Sequence, residues 1–262
     1  MLSFFPSRTV AVELFGFAVH WYGIMYILAF VIAVVLLPRL QHFRGLMLSR
    51  DRWMEIISWG VVGVLIGGRL GFVLFYEPAY FFANPLKVFA VWEGGMSSHG
   101  GFIGLTLALL FALRREGRSL WKIADIVTVP GSLGLAFGRF GNFINQELYG
   151  TVTSLPWGIS FPGASGFRHP VQLYELMIDL VIALVCLLSL RRSKTDGRTL
   201  AFFLMLYSVA RFLLEFVRAQ QYPIFMMLTR GQMLTIPLFL AGLCVWFWRT
   251  NTNPSMPDAE NV

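Results

Sequence analysis

Charged residues are scarce in this chain. Only 13% of the 262 residues are charged, whereas 56% are hydrophobic, and the mean hydropathy is +0.66. Soluble globular domains carry about twice that share of charge, so the composition excludes an ordinary soluble domain. No block of basic residues interleaved with aromatics occurs, so the net charge of +7 does not indicate a nucleic-acid partner. The chain is therefore predicted to be a polytopic membrane protein.

Cysteine and familiar catalytic signatures are also missing or rare. The two cysteines, Cys186 and Cys244, both fall within long apolar runs, which favours two buried thiols over a disulfide or a metal pair. The sequence has no Gly-x-Ser-x-Gly nucleophile elbow and no His or carboxylate cluster at metal-ligand spacing. A reaction in this protein would therefore take its nucleophile from a second substrate.

Apolar runs of spanning length occupy most of the chain. Each is long enough, or nearly so, to cross a hydrocarbon core of about 30 Å as a helix. The prediction is an all-α membrane protein with seven transmembrane helices. The runs are Val19–Leu37, Trp53–Phe75, Met96–Leu113, Ile123–Phe143, Val171–Leu190, Leu200–Phe216 and Met233–Trp248.

Lysine and arginine divide unevenly between the two sets of loops that these helices define. One set carries thirteen and the other five, and cytoplasmic loops carry the excess. The count predicts a periplasmic N-terminus and a cytoplasmic C-terminus. Residues 1–250 would form a single seven-helix domain with a small periplasmic segment at about 146–170, and residues 251–262 a flexible cytoplasmic tail.

The segment GRFGNFINQELYG, residues 138–150, places polar side chains at the end of a predicted spanning helix. Arg139, Asn142 and Asn145, or Gln146 in its place, recur in steps of three or four, so they share one helix face. A central arginine costs about 2.5–3.5 kcal/mol on insertion, which makes an intramembrane arginine a functional-site hypothesis. The alternative is a helix end whose polar groups meet water or cap a neighbour.

The sixth predicted helix carries a polar stripe at a similar depth. At 1.5 Å of rise per residue, Arg139 lies about 25 Å from the cytoplasmic end of its helix and Arg211 about 20 Å from the end of its own. Tyr207, Arg211, Glu215 and Arg218 step by four, four and three residues, so they share a face. The stripe predicts a polar cluster in the outer leaflet. The structural alternative is an internal ion pair between Arg211 and Glu215 that only holds helices together.

Two further helices bring candidate residues to that depth. His99 lies just inside the outer end of the third helix and Tyr22 just inside that of the first. Histidine is the common proton acceptor near neutral pH, which makes His99 a candidate base. Arg69 either binds an anion or reaches the interface. A glycine stripe on the second helix indicates tight helix packing: Gly60, Gly63, Gly67 and Gly71.

Arginines that meet in the outer leaflet indicate a site for an anionic oxygen group, because guanidinium forks match phosphate. The nearest abundant anion is a phospholipid head group. A transporter or channel for an organic anion is the alternative, since it also needs arginines in a wet cavity. A seven-helix light sensor is disfavoured, because the seventh run has no lysine for a retinal Schiff base.

At residues 138–150 the sequence resembles the signature of the prolipoprotein diacylglyceryl transferases, G-R-x-G-N-F-x-N-x-E-x-x-G, with every fixed position matched. The similarity extends over nearly the whole chain. It includes HWYGIMY at 20–26, GGRLGFVLFY at 67–76, GGMSSHGGFIG at 94–104, RHPVQLYE at 168–175 and the stripe of the sixth helix.

The resemblance implies an enzyme of the bacterial inner membrane whose active site faces the outer leaflet. Such an enzyme moves the diacylglyceryl group of phosphatidylglycerol to the lipobox cysteine of a prolipoprotein, without metal or organic cofactor. Arg139 would bind the lipid phosphate, Arg211 would be the second essential arginine, and His99 would be the base. The residues implied to bind or support the substrate are Tyr22, Asn142, Asn145, Glu147, Tyr207 and Glu215. The proton acceptor stays open between His99, Tyr22 and the substrate phosphate.

Overall fold

The computed structural model describes residues 10–14, 17–91, 94–114, 120–219 and 227–252, except for the side chains of residues 14, 17, 98, 99, 251 and 252. It is mostly helical. The chain divides into two compact units, one made of residues 1–46 and 121–262 and the other of residues 47–120. The single-domain organisation over 1–250 stays a prediction, and the tail from 253 lies outside the described residues.

Eight α-helices and two small sheets make up the described chain. The first unit contains β1 (Val10–Leu14), β2 (Phe17–His20), α1 (Trp21–Leu40), α5 (Leu120–Ile144), β3 (Ile159–Ser160), β4 (Phe167–Arg168), α6 (Val171–Arg192), α7 (Arg198–Leu214) and α8 (Arg230–Thr252). The second contains α2 (Arg50–Phe75), α3 (Pro78–Ala83) and α4 (Ser98–Leu113). Short 3-10 helices follow α1 (Gln41–Arg44) and α3 (Pro85–Phe89).

Among the described helices, α1, α2, α5, α6 and α8 are long and apolar enough to cross a membrane. The remaining long helices, α4 and α7, have 16 and 17 residues. The chain is thus a multi-pass membrane protein.

The start of the chain differs from the sequence prediction. Val19 was expected to open the first helix, yet it pairs with Val12 in an antiparallel hairpin, and α1 begins at Trp21. The cause is local, because Val10 and Val12 alternate along β1, Val19 lies in β2, and such β-branched residues favour extended backbone. A second small sheet pairs Ile159 with Arg168. The all-α description therefore omits two short hairpins.

In the second unit, α2 and α4 pack with their backbones almost in contact. A Cβ atom added to Gly67 would lie 2.7 Å from the Cα of Gly104, and one added to Gly71 would lie 2.8 Å from the Cα of Gly100. Only glycine allows two helices to approach this closely. The glycine stripe is confirmed as a packing surface.

Arg69 lies in the same unit and binds the backbone of the segment before α4 through hydrogen bonds. Its Nε donates to the carbonyl of Val88 at 2.8 Å, and its two terminal nitrogens donate to the carbonyls of Lys87, Ala90, Gly94 and Gly95. Arginine has five N–H donors, and all five are used. The contacts therefore favour a structural role for this residue over anion binding.

A second buried arginine, Arg44, connects several helices of the first unit near the start of α5. Its Nε donates to Asp125 at 2.8 Å, and its terminal nitrogens reach Thr199 and the carbonyls of Leu190 and Ser193 at 2.7–3.1 Å. Asp125 also accepts two backbone N–H groups at the start of α7, at 2.9 and 2.8 Å. We call this group the Arg44 network. It ties the end of α1 to α5, α6 and α7.

The cysteines differ in exposure. Cys186 is buried, as expected, but Cys244 is exposed on α8. The expectation of two buried thiols is thus wrong for Cys244. Helix periodicity explains the difference, because an apolar run does not reveal which of its faces meets lipid and which meets protein.

Candidate active site

The conspicuous segment 138–150 begins in the last two turns of α5 and continues into an unusual turn. Gln146 and Leu148 both have left-handed backbone, each with φ of +58°. A non-glycine residue in this region costs on the order of 1–2 kcal/mol, so tertiary contacts must hold the turn. Glu147 lies between the two and accepts hydrogen bonds from other residues of the site.

Glu147 joins α1 to α5. Its Oε1 accepts hydrogen bonds from the hydroxyl of Tyr22 and, at 2.9 Å, from Nδ2 of Asn142, which also contacts that hydroxyl. Gln172 of α6 donates to the backbone carbonyl of Glu147 at 2.6 Å. Gly141 leaves room for the tyrosine ring, since an added Cβ would lie 3.3 Å from it. These contacts form a polar triad of Tyr22, Asn142 and Glu147.

A second group of side chains surrounds Glu175, which is buried on α6. Its Oε2 lies 3.1 Å from Nε of Arg139, and its Oε1 lies 2.5 Å from Nη1 of Arg211 and 3.1 Å from Nη1 of Arg218. The three guanidinium groups, which we call the arginine cluster, thus converge on one carboxylate. Arg139 also reaches Asn142 at 3.5 Å, which links the cluster to the polar triad.

Glu215 is the second carboxylate of the cluster. Its Oε1 lies 2.6 Å from Nη2 of Arg211, so the ion pair considered as the structural alternative is present, and 3.9 Å from Nε of Arg218. Burial, and then the charge of Arg211, lower the pKa of the Arg218 guanidinium from its usual value. Arginine nevertheless stays protonated in proteins, so all three guanidinium groups are cationic.

Gly150, the last residue of the segment, brings the backbone of Arg218 to the site. Gly150 and Arg218 form an antiparallel bridge, and the next residue, Thr151, donates to the carbonyl of Val217 at 2.8 Å. A Cβ on Gly150 would lie 2.5 Å from that carbonyl and 2.6 Å from the Cβ of His169. Glycine is required here because the neighbouring segments at Val217 and His169 leave no room for a side chain.

A small cavity lies between α5, α6 and α7. Its volume is about 10 Å³, which is room for about one water molecule. Asp179, one turn from Glu175, is buried, and its Oδ2 has no hydrogen-bond partner within the ranges that the structure describes. The cavity is lined by Arg139, Glu175, Ile178, Asp179, Tyr207, Ala210, Arg211 and Leu214.

Seven of the nine predicted site residues meet in these groups. They are Tyr22, Asn142, Glu147, Arg139, Arg211, Tyr207 and Glu215. Asn145 lies just beyond α5, with its side-chain Oδ1 buried and without a hydrogen-bond partner in the described part of the chain. His99 belongs to the other unit, and its side chain lies outside the described residues, so its role stays a prediction.

Sequence reasoning left Glu175, Asp179 and Arg218 out of the site. The spacing of Glu175 and Asp179 was the available signal, because carboxylates four residues apart on a spanning helix share a face that must be paired or buried. Arg218 was part of the stripe on the sixth helix but lies beyond the end of α7. In the described ranges, no group of three or more His, Cys, Asp or Glu side chains could hold a metal.

One unit of this protein combines several apolar helices with three clustered guanidinium groups. These are the features of a membrane protein that binds an anionic oxygen group. Residues 9–248 match the family model of prolipoprotein diacylglyceryl transferase. The chain belongs to the prolipoprotein diacylglyceryl transferase family.

Relatives from several bacteria carry the name phosphatidylglycerol–prolipoprotein diacylglyceryl transferase. The one from Geobacter sulfurreducens is 43% identical over 86% of this chain and 88% of its own length. Those from Bordetella avium and Pseudomonas putida F1 are 40% and 38% identical over 98% and 99% of this chain and 100% of their own lengths. The similarity therefore includes all the helices that carry the arginine cluster.

Proposed function

We propose that the arginine cluster binds the phosphate of phosphatidylglycerol in the reaction of this family. As a member, the chain is a transferase that moves the diacylglyceryl group of phosphatidylglycerol to the thiol of the lipobox cysteine in a prolipoprotein. This is the first step of bacterial lipoprotein maturation. A channel or transporter for an organic anion is not favoured, because the related proteins are named as transferases.

One observation supports the role of the cluster above others. Both oxygens of a single buried carboxylate, Glu175, already lie within 2.5–3.1 Å of three guanidinium groups. A phosphodiester presents the same kind of anionic oxygens, and guanidinium groups bind phosphate as well as carboxylate oxygens. The arginines that bind the carboxylate of Glu175 can therefore also bind a lipid phosphate, either together with Glu175 or in its place.

The reaction forms a carbon–sulfur bond and breaks a carbon–oxygen bond. The sulfur of the lipobox cysteine attacks the glyceryl carbon that bears the phosphate ester, and glycerol phosphate leaves with the bonding electrons. Arg139 and Arg211 stabilise the negative charge that grows on the leaving phosphate. A thiol attacks well only as its thiolate, so its proton must pass to a base.

We assign that base to His99, because histidine accepts protons near neutral pH. Tyr22 suits the role less well, since its hydroxyl already donates to the carboxylate of Glu147. The polar triad instead supports Arg139, which it contacts through Asn142. Asn145 could offer its unpaired buried oxygen to a hydroxyl of the head group.

The arrangement in the membrane is part of the same proposal. We place seven spans in the inner membrane, counting α4 and α7, with the N-terminus outside and the C-terminus in the cytoplasm. Thirteen basic residues against five support this orientation. It brings the arginine cluster to the outer leaflet, where an exported prolipoprotein presents its cysteine.

The test is conversion of a lipobox peptide by the purified protein with phosphatidylglycerol, measured by mass spectrometry of the peptide. We expect Arg139→Ala to lower kcat/KM by about a hundredfold or more, the usual effect of removing a group that stabilises transition-state charge. Arg139→Lys should recover part of the activity, because it restores the charge without the fork. The matched control is Arg191→Ala, at an exposed arginine on α6.

The same assay tests His99. A His99→Gln variant should lose the activity rise that accompanies deprotonation of a group near neutral pH. Full activity in Arg139→Ala would contradict the role given to the cluster. An unchanged pH profile in His99→Gln would assign the proton to another acceptor.

A further inference from the structure

At the start of α8, the side chain of Thr229 makes two contacts: one caps the helix and the other reaches the carboxylate of Glu215. Thr229 precedes the helix, and its Oγ1 accepts the backbone N–H of Gln232 at 3.1 Å, while the side-chain Oε1 of Gln232 accepts the backbone N–H of Thr229 at 3.0 Å. This reciprocal pair is a capping box, which satisfies the free N–H groups of a helix start. The hydroxyl of Thr229 still has a proton to donate.

That proton is donated into the arginine cluster. Oγ1 of Thr229 lies 2.7 Å from Oε2 of Glu215, whose other oxygen lies 2.6 Å from Nη2 of Arg211. Thr229, Gln232 and Glu215 are all buried, with exposed fractions of 7%, 2% and 4%. Water has little access to replace the hydroxyl, so the direction of the Glu215 carboxylate depends on the helix start.

Gly231 completes the contact. A Cβ atom added there would lie 2.5 Å from Cδ and 2.6 Å from Oε1 of Glu215. Glycine is a poor helix former, and alanine would favour the helix. Because φ at Gly231 is not positive, the backbone itself does not call for glycine. The space is needed for the carboxylate.

We propose that Thr229 and Gly231 are positioning residues that set the orientation of Arg211 through Glu215. The inference rests on the proposed role of Arg211 in binding the lipid phosphate. Arg211 is held between two carboxylates, Glu175 at 2.5 Å and Glu215 at 2.6 Å. A shift of Glu215 therefore turns the guanidinium away from the geometry in which Arg139 and Arg211 receive one phosphate.

Four variants separate positioning from folding. Thr229→Ser keeps both the cap and the donor, whereas Thr229→Val removes both. Gly231→Ala leaves the cap intact and strengthens the helix but pushes on Glu215. The matched control is Gly131→Ala in α5, where an added Cβ meets nothing within 4 Å. Each protein is assayed for kcat and for the KM of phosphatidylglycerol, and its thermal unfolding is followed in the same detergent.

We expect Thr229→Ser and Gly131→Ala to match the parent protein. Gly231→Ala should lose about ten- to a hundredfold in kcat/KM, the scale of a misplacement of about 1 Å, with an unchanged or higher unfolding temperature. A rise in KM would accompany the loss. Simple loss of folded protein would lower the maximal rate at constant KM.

Parent-like kinetics in Gly231→Ala would overturn the proposal whether or not Thr229→Val folds. Arg211→Ala, measured in parallel, separates this inference from the function on which it rests. If Arg211→Ala is inactive and Gly231→Ala is normal, only the positioning role fails. If Arg211→Ala is active, the role of Arg211 fails and the positioning role fails with it.

Discussion

At the scale of single residues, Glu175 occupies the centre of the arginine cluster, which is the position that the proposed function gives to the lipid phosphate. It neutralises buried guanidinium groups that would otherwise repel one another, since an unpaired buried charge is costly. The same carboxylate must therefore lower the affinity of the cluster for any second anion. In the proposed function, Glu175 both keeps the arginines in place and would compete with the lipid phosphate.

Glu175→Gln should separate these two effects. The amide keeps the size of the side chain but removes its negative charge. We expect tighter binding of phosphatidylglycerol, seen as a lower KM, together with a maximal rate reduced by about tenfold, because the arginines lose their common partner. The unfolding temperature should fall in neutral detergent and recover more strongly than that of the parent when phosphatidylglycerol is added.

Glu147→Gln is the matched control for that experiment. It also removes a carboxylate of the site, but its partners are a tyrosine and an asparagine rather than arginines. It should not tighten lipid binding. Equal KM values and equal lipid-induced stabilisation in the parent and in Glu175→Gln would show that the carboxylate does not compete with the lipid.

The cost of placing charge in a membrane identified the arginines of the site from the sequence, but it did not identify Glu175, the carboxylate that neutralises them. Arg139 and Arg211 were identifiable because each is a charged residue deep within an otherwise apolar run, which makes the cost of insertion visible in the sequence. Glu175 lies only a few residues from a predicted helix end, where a carboxylate meets water at little cost. Its burial depends on how α6 turns against α5 and α7, and a single sequence does not contain that rotation.

At the scale of secondary-structure elements, α2 and α4 pack closely because the residues at their closest contact are glycines, which have no side chains. Gly67→Ala should lower the free energy of unfolding by about 1–3 kcal/mol, the usual cost of overpacking, because the new methyl would meet backbone atoms that cannot rotate away. Thermal unfolding in detergent measures the effect.

Gly101→Ala on α4 provides the comparison. Its added Cβ would lie 3.7 Å from Val64, an ordinary contact, so the variant should be neutral or slightly more stable. Equal unfolding temperatures for the two variants would mean that α2 and α4 tolerate a wider separation than their glycines indicate.

The helices themselves were largely predictable, and their ends were less so. The runs Trp53–Phe75 and Val171–Leu190 match α2 (Arg50–Phe75) and α6 (Val171–Arg192) within three residues. Hydropathy succeeds here because a lipid-facing helix must be apolar along its length. It fails at β1 and β2, where the pairing of valines decides the structure and the composition is equally apolar.

At the scale of the whole molecule, the proposed orientation is open to direct labelling. After the native cysteines are replaced, Ser154→Cys should react in intact cells with a maleimide that does not cross the membrane. Lys194→Cys should react only after the cells are permeabilised. Both positions are exposed in the structure, so accessibility to the reagent depends on the side of the membrane.

Reaction of both cysteines in intact cells, or of Lys194→Cys alone, would contradict the assigned orientation. Sidedness is predictable from the sequence because the basic residues of the loops fall thirteen to five. The number of spans is less predictable, because α4 and α7, with 16 and 17 residues, are shorter than the other long helices.

The Arg44 network has a consequence for synthesis in the cell. Leu190, Ser193 and Thr199 follow Arg44 by 146, 149 and 155 residues. At about 5–20 residues per second, the arginine waits on the order of ten seconds for these partners. During that time we expect its charge to stay hydrated, since an unpaired buried charge is costly, and to count among the basic residues that orient α1. The same side chain would then act first on topology and later, once α6 and the start of α7 have been made, on packing.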